Sequence, residues 1–333
     1  MRVTPTERFA LRCGRPHADL GRDVAARHAH PVTHRPWSEA LQAALYGPAG
    51  FYLRSRPADH FRTSVCLAPF AAAVRRLAGK VDDALGRPDP FDLVDVGAGR
   101  GELLSSLPDV PARWRLTGVD LAPAAVPFAW STTINRLTGL LIANEWLDNV
   151  PLDVVEHGRL ILVAPDGSEV PGPPSPYGDW CSRWWPGGPR VEVGLSRDRA
   201  WAAAVSQVER GLAVAVDYGH LIGSRRPTLT GYRRGRQLQP VPDGSCDVTA
   251  HVALDSCAAA TGATLIRQRD ALALLGVSAT LPDWGGDGTA YAMELAAASQ
   301  ARQLLDRDGL GGYGWLVQAI GIADPLAAAP AWA

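Results

Sequence analysis

One short stretch constrains this chain more than any other. Phe91-Asp92-Leu93-Val94-Asp95-Val96 is a β-rich run that breaks into Gly97-Ala98-Gly99-Arg100-Gly101, after which Glu102 to Leu107 restores helix formers until Pro108. Strand, glycine loop and helix in that order let a backbone turn tightly and approach a ligand at distances a Cβ would forbid, beside a helix amino terminus. Further strands are expected at Arg113 to Val119, ending at Asp120, at Gly139 to Ala143, ending at Asn144-Glu145, and at Leu212 to Val216, ending at Asp217-Tyr218-Gly219-His220. Late strands are expected at Thr264 to Gln268 and at Gly314 to Ile320, where a helix is an open alternative. Runs that are apolar on both faces and alternate with helical stretches predict a mostly parallel sheet covered on both sides.

The loop alone does not say which ligand it holds. The dinucleotide fold spaces its glycines as GxGxxG, whereas here the third glycine comes one residue early, at Gly101, and Glu102 stands where that pattern wants glycine. An acidic side chain in the first helical turn opposes a pyrophosphate. S-adenosylmethionine has no phosphate, and its sulfonium and amino groups are cationic, so the offset favours a methyl donor over a nicotinamide cofactor. Asp120, 25 residues after Asp95, falls at the end of the second strand, where a carboxylate can accept both hydroxyl protons of a ribose. Asp95 faces the same pocket, placed to hold the cofactor's ammonium directly or through water.

With 333 residues, 47% hydrophobic and 20% charged, the chain can bury one large α/β core or two smaller ones. A net charge of −1 removes any whole-molecule attraction to nucleic acid or membrane. No apolar run approaches the roughly 20 residues that span a bilayer, and the first 30 residues carry Arg and His throughout in place of a signal-peptide core. The expected location is cytoplasmic. Cys13, Cys66, Cys181, Cys246 and Cys257 are scattered and never spaced as CxxC, which argues against a zinc knuckle and a disulfide framework. His28, His30 and His34 lack a Cys or carboxylate at ligand spacing and read as solvated, so no metal site is expected.

Residues 1 to 36, rich in Arg, His and Pro, read as an arm or peripheral helix. Trp37, Ala40, Leu41, Ala44 and Leu45 recur at helical spacing and predict a helix that stops at Gly47-Pro48; Leu67 to Gly79 predicts a second. Two segments interrupt the strand–helix rhythm: residues 151 to 200, with a hairpin around Asp166-Gly167 and a stretch holding Trp180, Trp184 and Trp185, and residues 221 to 262. Both follow carboxyl ends of strands, the edge where open α/β sheets bind ligands, so a substrate cap is expected there. The tryptophans read as packing of a small subdomain ahead of a dedicated aromatic site.

Asn144-Glu145-Trp146-Leu147-Asp148-Asn149-Val150-Pro151 gathers two carboxylates and two amides at a strand end, costly to bury without a partner; a cationic or amine-bearing substrate would be one. A capped loop start with Asp148 or Asn149 as the cap is the equal alternative. This block, with Asp59-His60-Phe61-Arg62-Thr63-Ser64, Val94 to Leu103, Val216 to His220, Thr228 to Arg233 and Asp247-Val248-Thr249-Ala250-His251-Val252, resembles the MidA-type methyltransferases. That family includes a mitochondrial assembly factor of respiratory complex I that methylates a protein arginine. The resemblance runs from about Trp37 to Gly321. It implies an α/β, Rossmann-like class I methyltransferase with a seven-stranded, mostly parallel sheet and an inserted substrate-cap subdomain, using S-adenosylmethionine to methylate a nitrogen, an arginine guanidinium, of a protein or peptide acceptor. The expected organisation is an arm (1–36), N-terminal helices with the cofactor-binding half (37–150), the inserted cap (151–200), and the C-terminal half (201–333) with a second insertion (221–262).

Carried over position by position, the resemblance places Thr63 and Ser64 beside the cofactor, Gly97, Ala98, Gly99 and Gly101 under its methionine moiety, Asp120 on its ribose with Leu121 adjoining, and Asn144 and Glu145 beside the reacting methyl. Glu145, Asp148 and His220 are the expected catalytic set, and Tyr218, Tyr232 and Arg233 the expected substrate contacts. Asn149, in place of a small residue, and Arg234-Gly235-Arg236-Gln237, in place of a histidine-lysine stretch, depart from the family on the acceptor side. Arg225, Arg226, Arg233, Arg234 and Arg236 would repel an arginine across a dry pocket; they read as a solvated loop face or as a grip on acidic residues flanking the target. No nucleic acid or membrane partner is expected, and a homodimer is left open. A cofactor-binding assembly factor without turnover is the competing reading from another class.

Overall fold

The computed structural model describes residues 33–54, 63–285 and 287–332, all within one unit that begins at Thr33. His28, His30, the arm up to residue 32 and Asp59-His60-Phe61-Arg62 lie outside the described residues.

Seven strands form the main sheet: β1 (Phe91–Val96), β2 (Trp114–Val119), β3 (Ala129–Ser131), β4 (Leu137–Asn144), β5 (Val208–Asp217), β6 (Thr264–Arg267) and β7 (Gly314–Ile320), in the order β6-β7-β5-β4-β1-β2-β3. From β5 to β3 every neighbouring pair is parallel, and β7 runs antiparallel to both β5 and β6. Gly314 to Ile320 is therefore strand, not helix, and the sheet is mixed, with one reversed strand. Alternation along the strands feeds two cores. Leu93, Leu140, Leu212 and Val214 pack against α2 (Ala68–Ala84) through Phe70, Val74, Leu77 and Val81. Val94, Leu141, Ala213 and Ala215 pack on the other face against Trp201 and Ala204 of α3 (Leu195–Val205). Strands buried on both faces need helices on both faces, which is why the apolar runs show no polar alternation.

Gly79 does not end α2. The helix continues to Ala84 because Val81 is core and Asp82 is buried as the partner of Arg113 Nη1 (2.8 Å) and Trp114 Nε1 (3.2 Å), which offsets the roughly 1 kcal/mol that a mid-helix glycine costs. α4 (Gly288–Leu305), not anticipated from pattern, starts at Asp287, whose carboxylate accepts from the Thr289 and Ala290 amides at 2.9 and 3.2 Å. Among the described residues no helix is long and apolar enough to cross a membrane.

The segment after β4 forms a separate antiparallel sheet from Asp153–Glu156, Arg159–Val163, Glu169–Pro174 and Arg190–Val193, joined by Arg35–Pro36. α1 (Trp37–Tyr46) lies on it, burying Trp37, Ala40 and Leu41 with Val154, Ile161 and Val163, and Trp37 Nε1 donates to Glu169 at 2.7 Å. Cys246, Val248 and Ala250 complete the same core. α1, the first insertion and part of the second are thus one packed body at the carboxyl edge of the main sheet. Trp180 and Trp185 are buried in an adjoining cluster, and Trp180 Nε1 donates to Asp198 (2.7 Å), so these rings are packing residues.

Candidate active site

The parallel strands β1, β2, β4 and β5 end at one edge, and a cavity of about 1140 Å³ opens there. At one end of it lies the glycine loop. The Gly97 and Ala98 amides donate to Val119 O (2.9 and 3.2 Å), and the Gly99 amide donates to Asp120 Oδ2 (2.9 Å), which fastens the loop to the end of β2. Gly97 holds φ +72°, and a Cβ there would stand 3.0 Å from the Trp146 ring, so only glycine lets the loop turn beneath that indole. Asp95, Glu102 and Asp120 all line this end. Burial pushes the Asp95 carboxyl well above the ordinary range, and the charges of Glu102 and Asp120 push the same way. Burial also raises Asp120, against the bonds it accepts from Ala122 and Gly99. Three carboxylates crowded into one end favour a cationic ligand and oppose a pyrophosphate.

The other end is built around Glu145, whose φ of +51° is uncommon for a residue with a long side chain. Its amide is tied to Val216 O (2.8 Å), and its Oε1 accepts from Asn144 Nδ2 (3.0 Å) and the Ser64 amide (3.2 Å). Burial and the neighbouring Asp148 lift its pKa to about 8, even though both hydrogen bonds oppose the shift. Asp148 Oδ2 takes the Tyr218 hydroxyl in a short bond and Thr249 Oγ1 at 3.0 Å, whereas its Oδ1 is buried without a partner; so is Asn144 Oδ1. Beneath this turn, Asp217 Oδ2 accepts the Leu147 and Asp148 amides (2.9 and 3.1 Å). The buried Arg197, from the first turn of α3, donates to the carbonyls of Asp148, Val150, Ala250 and His251. One guanidinium thereby joins the Asn144–Pro151 block to the second insertion.

The far wall carries Tyr46, Tyr52, Tyr232 and Asp247. Tyr52 Oη lies 2.6 Å from Asn149 Oδ1 and 2.9 Å from Asp247 Oδ1. A phenol has one proton, so serving both oxygens requires the Asp247 carboxyl to donate on its side, in keeping with a pKa that burial and Asp148 raise to about 7.

The comparisons show what the chain as a whole is similar to. A family model described as "Putative S-adenosyl-L-methionine-dependent methyltransferase" matches residues 112–269. A Burkholderia thailandensis protein described as a "likely methyl transferase", solved bound to S-adenosyl-homocysteine, is 22% identical and superimposes with a TM-score of 0.73, covering 90% of this chain and 92% of its own. A second structure from the same organism gives 23% identity, a TM-score of 0.72 and coverage of 90% and 91%. No curated protein matches. Fold and family match support an S-adenosylmethionine-dependent methyltransferase. The residues fit that cofactor, because the carboxylates at the glycine end answer its cationic groups and the loop brings bare backbone against it.

Of the residues expected from sequence, Thr63, Asp95, Gly97, Ala98, Gly99, Asp120, Leu121, Asn144, Glu145, Asp148, Tyr218 and Tyr232 line the cavity together. Four do not. Gly101, at φ +86°, packs where a Cβ would meet Phe128 and Val126 at 2.8 and 2.9 Å, so it serves the loop's outer side. Ser64 sits one layer down: its amide holds Glu145 while its hydroxyl accepts from Gln268 Nε2 at 3.1 Å. His220 leaves the catalytic set. After Asp217 the chain quits the main sheet, and Gly219–His220 pairs with Val252–Ala253, which turns the imidazole onto Trp185 at 5.1 Å. Burial lowers its pKa to about 4, so the ring is neutral. Arg233 is exposed on the face of its hairpin opposite Tyr232. Of residues 151–200 only Pro151 lines the cavity, whereas residues 226 to 251 supply a wall, so the cap role falls to the second insertion. The arginine group also divides. Arg225 is buried in an ion pair with Asp255, Arg226 lines the cavity, and Arg233, Arg234 and Arg236 are exposed.

Sequence reading missed Arg197, Tyr46, Tyr52, Asp247 and Gln268. Asp247 lay inside a quoted block and Tyr52 beside a predicted turn, but nothing local marks Arg197 or Gln268. Among the described residues no group of His, Cys, Asp and Glu could hold a metal ion.

Proposed function

We propose that this protein methylates a nitrogen, an arginine guanidinium, on a protein or peptide acceptor. The observation that carries the reading is that Asn144 and Asp148, which line the cavity with Glu145, each keep a buried acceptor oxygen, Oδ1, without a partner. Unpaired buried acceptors cost about 1–3 kcal/mol each, and a guanidinium, with five N–H donors in a fixed fork, is the side chain best suited to satisfy several at once.

S-adenosylmethionine supplies an electrophilic methyl when bound. The chain's own work is then positioning and charge. Asp95 and Asp120 hold the cofactor end, Trp146 over Gly97 closes the floor between the two ends, and Asn144, Glu145 and Asp148 orient the acceptor. A guanidinium with a pKa above about 12 stays protonated beside a single carboxylate, so Glu145 stabilises charge and takes the proton as the nitrogen is alkylated. A pKa near 8 suits a group that must be anionic with a cation beside it and protonated afterwards.

The test is Glu145→Gln with a labelled methyl donor and arginine-containing peptides. Methyl incorporation should fall roughly 100-fold or more, while S-adenosylmethionine binding measured by calorimetry stays within a few-fold. Loss of cofactor binding in this variant, or label recovered on oxygen or sulfur after hydrolysis, would sink the assignment.

A further inference from the structure

The strand Thr230–Arg233 turns back onto Arg236–Leu238 through Arg234 and Gly235, whose φ angles are +52° and +72°. Two-residue hairpins with positive φ at both central positions prefer Asn or Asp before Gly, because a short polar side chain tolerates the left-handed region; arginine forgoes that advantage. Arg233 and Arg236 stand directly opposite each other in the ladder, an arrangement of like charges that disfavours the pairing. Both are exposed and, among the described residues, neither has an ion pair. Local physics therefore works against all three arginines at this tip.

The same hairpin is a wall of the cavity. Thr230, Tyr232 and Gln237 line it, and the two-residue period of a strand puts Arg233 and Arg236 on the outer face. The two faces of the hairpin therefore differ: the carboxyls of Glu145, Asp148 and Asp247, with Arg226, line the cavity within, and Arg233, Arg234 and Arg236 are exposed on the rim. A nucleic acid would satisfy the rim and present phosphate to the acidic interior. A wholly cationic peptide would suit the interior and be repelled at the rim.

We infer that the Arg233-Arg234-Gly235-Arg236 tip docks the acidic flank of a polypeptide acceptor whose cationic residue enters the cavity. The inference rests on the cationic-acceptor reading above, but the docking is read out by binding alone. Short fluorescent peptides with a central arginine and flanks of glutamate, glutamine or lysine are titrated with the full chain in the presence of S-adenosylhomocysteine, and methyl transfer to each is measured separately. The glutamate-flanked peptide should bind roughly tenfold more tightly than the glutamine-flanked one, with the gap closing as salt is raised. R233E/R236E should abolish that preference and R233K/R236K should keep most of it. Arg234→Asn, which suits the turn, should weaken the preference in a protein that melts normally. Equal binding of all flanks, a preference that survives R233E/R236E, or tighter binding of a single-stranded oligonucleotide through the same arginines overturns the inference. Flank preference without turnover refutes methylation and leaves the docking site standing; turnover indifferent to flanks does the reverse.

Discussion

At the glycine end of the cavity the principal contacts are made within about one β-loop-β unit: Gly97, Ala98 and Gly99 are held by Val119 and Asp120, and the carboxylates that line it are Asp95, Glu102 and Asp120. At the Glu145 end the contacts cross the whole chain, from Tyr52 to Asp247, from Ser64 to Gln268 and from Arg197 to Asp148. One end is a local motif; the other is an assembly of insertions. The difference teaches where each function can be changed. A local motif tolerates little variation in sequence, whereas an assembled wall can change its acceptor while the cofactor end stays as it is.

The largest expected effect separates the ends by pH. Asp95 and Asp120 at one end, and Glu145, Asp148, Asp217 and Asp247 at the other, all have pKa values raised by burial. A carboxyl whose folded pKa exceeds its unfolded value keeps its full stabilising contribution below the unfolded pKa. That contribution is lost as pH rises through the folded pKa. For Glu145 the window runs from 4.5 to about 8, with a slope of at most about 1.4 kcal/mol per pH unit. The unliganded protein should therefore melt at lower temperature at pH 8 than at pH 5, and Glu145→Gln should melt above wild type at pH 8 and level with it at pH 5. Saturating S-adenosylmethionine should recover only the part owed to Asp95 and Asp120; full recovery would mean the two ends are one electrostatic unit.

Asp120→Ala tests the local end. It removes a carboxylate that accepts from both Gly99 and Ala122, and should weaken S-adenosylmethionine binding by roughly 100-fold with acceptor binding little changed, as calorimetry can show. Gln268→Ala tests the assembled end. Its buried amide serves Ser64 Oγ, Leu310 O and Trp315 Nε1 at 3.1, 2.8 and 3.1 Å, so denaturant unfolding should show a loss of about 1–3 kcal/mol. The acceptor KM should rise with it. A KM that does not move would show that Ser64 holds Glu145 without help from below. The smallest effect is expected from Tyr52→Phe, which breaks the link between Asn149 and Asp247. The acceptor KM should rise about fivefold, the worth of one hydrogen bond, and cofactor affinity should stay constant.

Most main-sheet strands were legible because each is a short run dominated by apolar and β-branched residues, and α1 because its apolar residues recur at helical spacing before Gly47-Pro48. β3, exposed in part and only three residues long, and α4, whose first turns are exposed and alanine-rich, lack the periodicity that pattern reading needs. The reading of His220 failed for a related reason. Its position after a strand end suggested the cavity, but after Asp217 the chain pairs with Val252–Ala253 instead of the main sheet, and the ring packs on Trp185.

What the sequence determined by itself is the glycine end: a strand, three glycines with positive φ, an acid in the first helical turn and Asp120 one strand away are all set by neighbours along the chain. Only the tertiary structure decided the Glu145 end. Burial there raises Glu145 and Asp247 toward neutrality, leaves Asn144 Oδ1 and Asp148 Oδ1 without partners, and recruits Arg197, Tyr52 and Gln268 from distant segments. The physical reason is that desolvation and hydrogen-bond satisfaction depend on what surrounds a side chain in space, whereas the backbone freedom of glycine is a property of the residue itself.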